Sequence, residues 1–232
     1  MKTLFALILA FSGAPQPAVR PAPQAAAPVK DLNTLINGVD KAFASMKDFK
    51  ASFIQISSKP LNQSQEDKGL LYLTRDKKMK VQYTSSNGKP EDKLFVSNGK
   101  TLYTYIPANR QATQDPVKDS MVDQIPMMFL LGRSGLKNEF NPIKDLNDRK
   151  PLFEGDRVLS LTPKRKNQDI ERIEIEVNPS NSLVDRISMF FSDKSSTDFA
   201  FFNIEINRNL PASTFEFTPP PGIRVIQGSG IQ

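Results

Sequence analysis

The sequence predicts a mainly β protein with a few helices, built on one large curved antiparallel sheet. Three observations predict it. An amphipathic helical stripe at 32–46 is followed by a change of hydrophobic period from 3.6 to two. Ten segments after that switch carry strand patterning: 50–57, 69–74, 78–83, 93–97, 101–106, 158–162, 170–178, 183–192, 198–207 and 214–217. Short turn signals separate most of them, and an open sheet of that size must curl, split or close.

The chain opens with a short positive segment, Met1 to Thr3, then eight uninterrupted apolar residues at 4–11, then Ser12, Gly13 and Ala14. That is the pattern of a cleaved secretory signal over residues 1–14, and the apolar run is far shorter than the ~20 residues of a membrane span. Residues 15–30 hold five prolines among alanines, a composition that stays extended as a tether. The remainder, 31–232, reads as a single domain.

Asp31 supplies an N-cap, and Leu32, Leu35, Ile36, Val39, Phe43 and Met46 recur every three or four residues. Gly38 weakens this helix without interrupting the stripe. Asn98-Gly99 between Val96 and Leu102 is a hairpin signal, with further turns at 85–88 and 178–181. In the second half Ile173, Ile175 and Val177 alternate with Glu174 and Glu176. The 183–192 strand places Leu183, Ile187, Met189 and Phe191 on one face, with Val184 and Phe190 on the other. The 198–207 strand sets Phe199 and Phe201 against Ala200, Phe202, Ile204 and Ile206. Strands apolar on both faces need helices over part of the sheet, or a cavity beside it. Residues 119–131 have helical spacing, and Pro126 divides them into two short pieces bent across the sheet's mouth. A short helix or loop follows around 136–140.

Composition excludes much chemistry. There is no Cys, His or Trp, so disulfides, thiolate nucleophiles, His-containing triads and ordinary zinc sites are all ruled out. No catalytic pair stands out: Asp115 and Asp119 lie in a loop, and Glu171, Glu174 and Glu176 read as solvent positions on a strand. Gly132 to Gly135 (GRSG) lacks the Lys-Ser/Thr of a phosphate loop. The formal charge of +6 is spread among mixed signs, its densest run, 162–167, reading as a turn. Tyr72, Tyr83, Tyr103 and Tyr105 are interrupted by Leu102 and Ile106, unlike a nucleic-acid stacking platform. What remains is apolar excess with seven methionines, four of them at Met121, Met127, Met128 and Met189. Unbranched, polarisable side chains fit either a changeable apolar ligand or an irregular core beneath a bent helix.

Five segments in order resemble the periplasmic outer-membrane lipoprotein carrier family: FKASFIQ at 49–55, GLLYLTR at 69–75, LFVSNGKTLYTYIP at 94–107, LTPK at 161–164 and FEFTPPPGIRV at 215–225. The resemblance implies an incomplete, half-open antiparallel β-barrel of about 10–11 strands, covered by a helical lid around an apolar cavity. It implies a soluble, monomeric periplasmic chaperone, not an enzyme, with no cofactor, metal, nucleic acid or stable membrane insertion. Its cargo is acylated lipoproteins, received from an inner-membrane ABC-type release complex and passed to an outer-membrane receptor. That receptor is anchored through a lipidated cysteine, so the absence of Cys favours the carrier. A generic lipid- or glycolipid-binding protein, or a lipoprotein-sensing regulator domain, is the alternative. By the same resemblance Arg75 is the latch at the end of the Gly-to-Arg strand, bonded to lid-side backbone. Phe53, Met79 and Val81 belong to the wall, and Met121, Ile125, Met128 and Phe129 to the lid. The sequence departs from the family pattern at Asp76, where proline is usual, and at Val81, where tryptophan is frequent. Asp76 is also placed to pair with Arg75 and blunt its role.

Overall fold

The computed structural model describes residues 31–60, 63–84, 93–117, 135–164 and 170–228. The expected signal, tether, 85–88 turn and 119–131 pieces, and half of the basic turn at 162–167, lie outside them.

Helix α1 (Leu32–Ser45) begins as expected: the Asp31 carboxylate accepts the Thr34 amide at 3.1 Å and also the Thr34 hydroxyl. Its stripe of Leu35, Ile36, Val39 and Phe43 is buried, continuing into Met46. Burying each of these side chains stabilises the fold by about 1.5–3 kcal/mol, which fastens the helix to the sheet. Gly38 lies where α1 packs against the Ser182 side chain: a Cβ there would stand 2.4 Å from Ser182 Oγ. The cost of glycine in a helix is accepted for that approach.

The sheet comprises β1 (Asp48–Lys59), β2 (Gln63–Thr74), β3 (Lys78–Thr84), β4 (Lys93–Asn98), β5 (Thr101–Ile106), β6 (Gln111–Pro116), β7 (Phe140–Asp145), β8 (Arg157–Pro163), β9 (Ile170–Val177), β10 (Val184–Phe191), β11 (Ser196–Ile206) and β12 (Arg224–Gln227). Its order is β12-β6-β5-β4-β3-β2-β1-β11-β10-β9-β8-β7. Two meanders, β1–β6 and β7–β11, therefore meet along the β1–β11 ladder, with Phe53 opposite Phe201. The sheet is large and half-open, as expected, and the described residues contribute twelve strands to it, close to the expected ten or eleven. It is also mixed rather than purely antiparallel, because β12 lies parallel to β6.

Three expectations are corrected. Residues 214–217 are not a strand: Ala212–Phe215 is a 3₁₀ turn, and the chain passes on to form β12. This C-terminal strap lays Phe217, Ile223 and Val225 against Leu94, Val96, Tyr105 and Ala112, a second apolar cluster on the outer face of β4–β6. Glu174 and Glu176 are not solvent positions: they are buried, because the segment between β7 and β8 crosses over them and bonds to both. The short helix expected around 136–140 is present as a single turn, α2 (Leu136–Glu139), after which Phe140 starts β7. The face assignments of Val184, Ile204 and Ile206 fail because of β-bulges. The register with β9 slips between Val184 and Arg186, and that with β1 slips between Lys50 and Ser52, opposite Asn203 in the left-handed region at φ 53°. Each extra residue inverts the alternation, so all three side chains join the inner core. Much of the two-sided apolarity in the sequence is thus a single face that changes parity.

Candidate functional site

The inner face is apolar throughout. Phe49, Ala51 and Phe53 of β1, Leu71 and Leu73 of β2, Met79 and Val81 of β3, and Phe201 of β11 join α1 in one continuous core with Leu159, Leu161, Ile173, Ile175, Ile187 and Met189. Period-two alternation puts them there, and their charged neighbours point outward.

Across this face runs a connected series of rings. Phe49 meets Phe201 edge-on at 6.0 Å, Phe201 stacks with Phe199 at 6.3 Å, Phe199 reaches Phe53 at 5.8 Å, and Phe53 meets Tyr83 at 5.3 Å. Tyr83 continues to Phe95 at 6.2 Å. Phe49 and Phe201 are buried, whereas Phe199, Tyr83 and Phe95 are half-buried. Tyr83 donates its hydroxyl to Gln55 Oε1 at 2.7 Å. Burial, with a contribution from the Asp67 carboxylate, pushes its phenol up to about 12. Lys93 lies over the same ring, 5.4 Å from its centre.

Arg75 closes the other end. Strand β2 delivers it beneath the C-terminus of α1, where its Nη2 donates to the carbonyls of Phe43 (2.6 Å) and Ala44 (2.5 Å) and its Nε to Met46 (3.3 Å). The last carbonyls of a helix have no partner within it and carry partial negative charge. The final turn of α1 has no basic residue of its own, so the cation comes from a different element. The expected Asp76–Arg75 pair does not form. Asp76 instead accepts from Thr74 Oγ1 at 2.5 Å and pairs with Lys78 at 2.7 Å. Lys78 and Thr74 hold its carboxyl below the usual range.

Phe53, Met79 and Val81 are 2%, 6% and 5% exposed and belong to the inner core. Met121, Ile125, Met128 and Phe129 fall outside the described residues. The sequence reading missed Tyr83, Phe95, Phe199 and Phe201 as site residues, although the spacing of two between Phe199 and Phe201 pointed to a shared face. It also left open that the partner of Arg75 is α1.

A face of rings and aliphatic side chains, with no charged group among its core members and a helix bonded across one end, can sequester hydrocarbon. Fold and inner face together define a half-open β-barrel with an apolar concave side. The family model for "Outer membrane lipoprotein carrier protein LolA" matches residues 44–218, and the chain belongs to that family. Its general role, carrying lipoproteins in the periplasm without catalysing a reaction, follows from that membership.

Relatives agree. An outer-membrane lipoprotein carrier protein of Cupriavidus necator is 28% identical over 206 residues, covering 89% of this chain and 90% of that protein. One from Pseudoalteromonas translucida is 27% identical over 184 residues, 78% and 82% of the two chains. The match to the carrier of Bordetella avium, 28% identical over 139 residues, spans 63% of that protein. Among solved structures, an uncharacterized conserved protein from Thermus thermophilus shares the fold, with a TM-score of 0.52 at 12% identity over 84% of this chain and 98% of that one.

Proposed function

We propose that the protein is a soluble periplasmic chaperone that holds the acyl chains of outer-membrane-directed lipoproteins against the inner face. It receives them from an inner-membrane ABC-type release complex and delivers them to an outer-membrane receptor. Residues 1–14 are removed on export, and 31–232 form the carrier domain.

The observation that carries this reading is the attachment of Arg75 to the carbonyls of Phe43, Ala44 and Met46. The apolar stripe of α1 covers part of the surface that cargo needs. Each acyl methylene buried is worth about 0.8 kcal/mol, so several chains would be held too firmly for release unless the empty state had compensating contacts. Arg75 and the buried face of α1 provide them: the cover shuts over Phe53, Met79 and Val81 when cargo leaves and lifts when it enters.

Purifying the mature protein from its native periplasm and identifying what accompanies it by mass spectrometry tests the reading. A triacylated polypeptide supports the lipoprotein carrier. A free glycolipid supports the generic lipid-binding alternative instead, and a preparation without lipid over repeated isolations rejects both.

A further inference from the structure

The outer face of β8–β11 carries a buried polar layer that lipid carriage does not use. Glu174, Glu176, Ser160 and Ser188 are buried there, and residues 146–156 cross over them. This crossing segment joins β7 to β8, and the Leu146 amide donates to the Val158 carbonyl at 2.9 Å where it starts. Glu176 accepts the Leu152 and Phe153 amides at 2.8 and 3.2 Å, Arg149 reaches Glu174 at 2.7 Å, and the Phe153 ring lies 5.4 Å from Phe202. It ends at Asp156, which is 8% exposed.

Asp156 is unlike the other acids of the layer. Glu176 has a cation, Arg186 at 2.9 Å, which also holds Asp198 at 2.6 Å. Glu174 has Arg149 and Arg172. Asp156 faces carboxyls: it lies within hydrogen-bond reach of Asp185 and in the field of Glu176, and its Oδ2 has no donor among the described residues. Asp185 in turn meets Asp156, Asn178 and Glu176. Burial and a neighbouring carboxylate both disfavour the second charge, so the contact favours a proton held on the pair. No group of three or more acidic residues arranged for a metal ion occurs among the described residues.

We propose that Asp156 and Asp185 hold one proton between them, and that this proton fastens the 146–156 segment over the outer face of the sheet. The environment agrees in direction. Burial first, then the Asp185 and Glu176 carboxylates, push Asp156 up to about 7, and burial raises Asp185 as well. A folded-state value above that of the unfolded chain means the fastened form binds the extra proton. The fastening is complete below about pH 4 and is lost as pH rises through about 7. Loss of the proton leaves two like charges beside Glu176. Repulsion then frees the segment at its Asp156 end and uncovers Phe202 together with the Glu176 layer. The proposal does not depend on what the inner face carries.

The test uses the full chain. Carboxyl-carbon NMR follows Asp156 and Asp185, while amide exchange, corrected for intrinsic rates, follows Leu152 and Phe153 between about pH 5.5 and 8.5. One carboxyl of the pair titrates near neutrality, and protection of both amides falls about tenfold over the same range. Asp156→Asn keeps a donor toward Asp185 without a titrating group, so protection becomes independent of pH. The proposal is overturned by wild-type protection that does not change with pH, or by both aspartates titrating in the ordinary carboxylate range. Those wild-type measurements decide the matter even if the variant does not fold.

Discussion

The ring of Phe53 lies directly over Gly69 on the neighbouring strand, where a Cβ would stand 2.7 Å from its Cζ and 2.2 Å from the Gln82 carbonyl oxygen. A strand glycine is usually a weakness, but here it lets an aromatic side chain lie flat across the sheet. Gly69→Ala must displace both a ring and a backbone, and we expect a loss of about 1–3 kcal/mol, read from the urea midpoint. An unchanged midpoint would show that the ring moves freely and is not fixed by its neighbour.

Arg75→Leu keeps the bulk and removes every donor to Phe43, Ala44 and Met46. With the empty closed state weakened, acceptance of cargo from inner-membrane vesicles is normal or increased, while transfer to the receptor is impaired. Wild-type rates for both steps would reduce Arg75 to a helix cap.

Asp48 ties the end of β11 to the start of β1. It is buried, and its two oxygens accept the Arg208 and Asn209 amides at 2.8 Å each. Asp48→Ala leaves those amides without acceptors and costs about 2–3 kcal/mol. Asp48→Asn, which keeps one oxygen, costs about half as much. Equal losses from the two variants would show that the hydrogen bonds are not the source of the effect.

Tyr83 gives a spectroscopic signature. Its folded-state phenol titrates above that of the unfolded chain, so ionisation opposes folding progressively as pH rises from about 10 to about 12. In an absorbance titration of phenolate, the Tyr83 component appears late, and Tyr83→Phe removes that late step. A titration with all four tyrosines ionising together near 10 contradicts the buried position.

The core meander strands and α1 were legible because their faces are chemically distinct: Ile173, Ile175 and Val177 against Glu174 and Glu176, or Leu35, Val39 and Phe43 against a polar side. Strands β6, β7 and β12 were not. Gln111–Pro116 is mostly polar, Phe140–Asp145 contains Pro142, and Arg224–Gln227 is only four residues long, so none displays a decisive alternation. Phe215 and Phe217 did alternate, yet they serve a crossing strap rather than a ladder. Bulges defeated parity at Val184 and Ile204, because one added residue reverses every side chain beyond it. Arg75 was legible through family resemblance, but its bonds to α1 depend on where β2 passes the helix. The Asp156–Asp185 contact left no local mark, since two ordinary acids far apart in the chain become a pair only when β8 and β10 are in place.

The β1–β11 seam also constrains the order of events during folding. Lys50 and Glu205, which pair across it at 2.8 Å, are 155 residues apart, whereas β2 through β5 can each pair with a strand beside them in the chain. Local hairpins can therefore assemble early, but β1 keeps one side unpaired until β11 arrives, and closing so long a loop is entropically slow. As the chain emerges N-terminus first, its central strand is consequently among the last to be shielded. Through most of that interval, β1 presents Phe49 and Phe53 on an open edge, the period in which the nascent carrier is most vulnerable to aggregation.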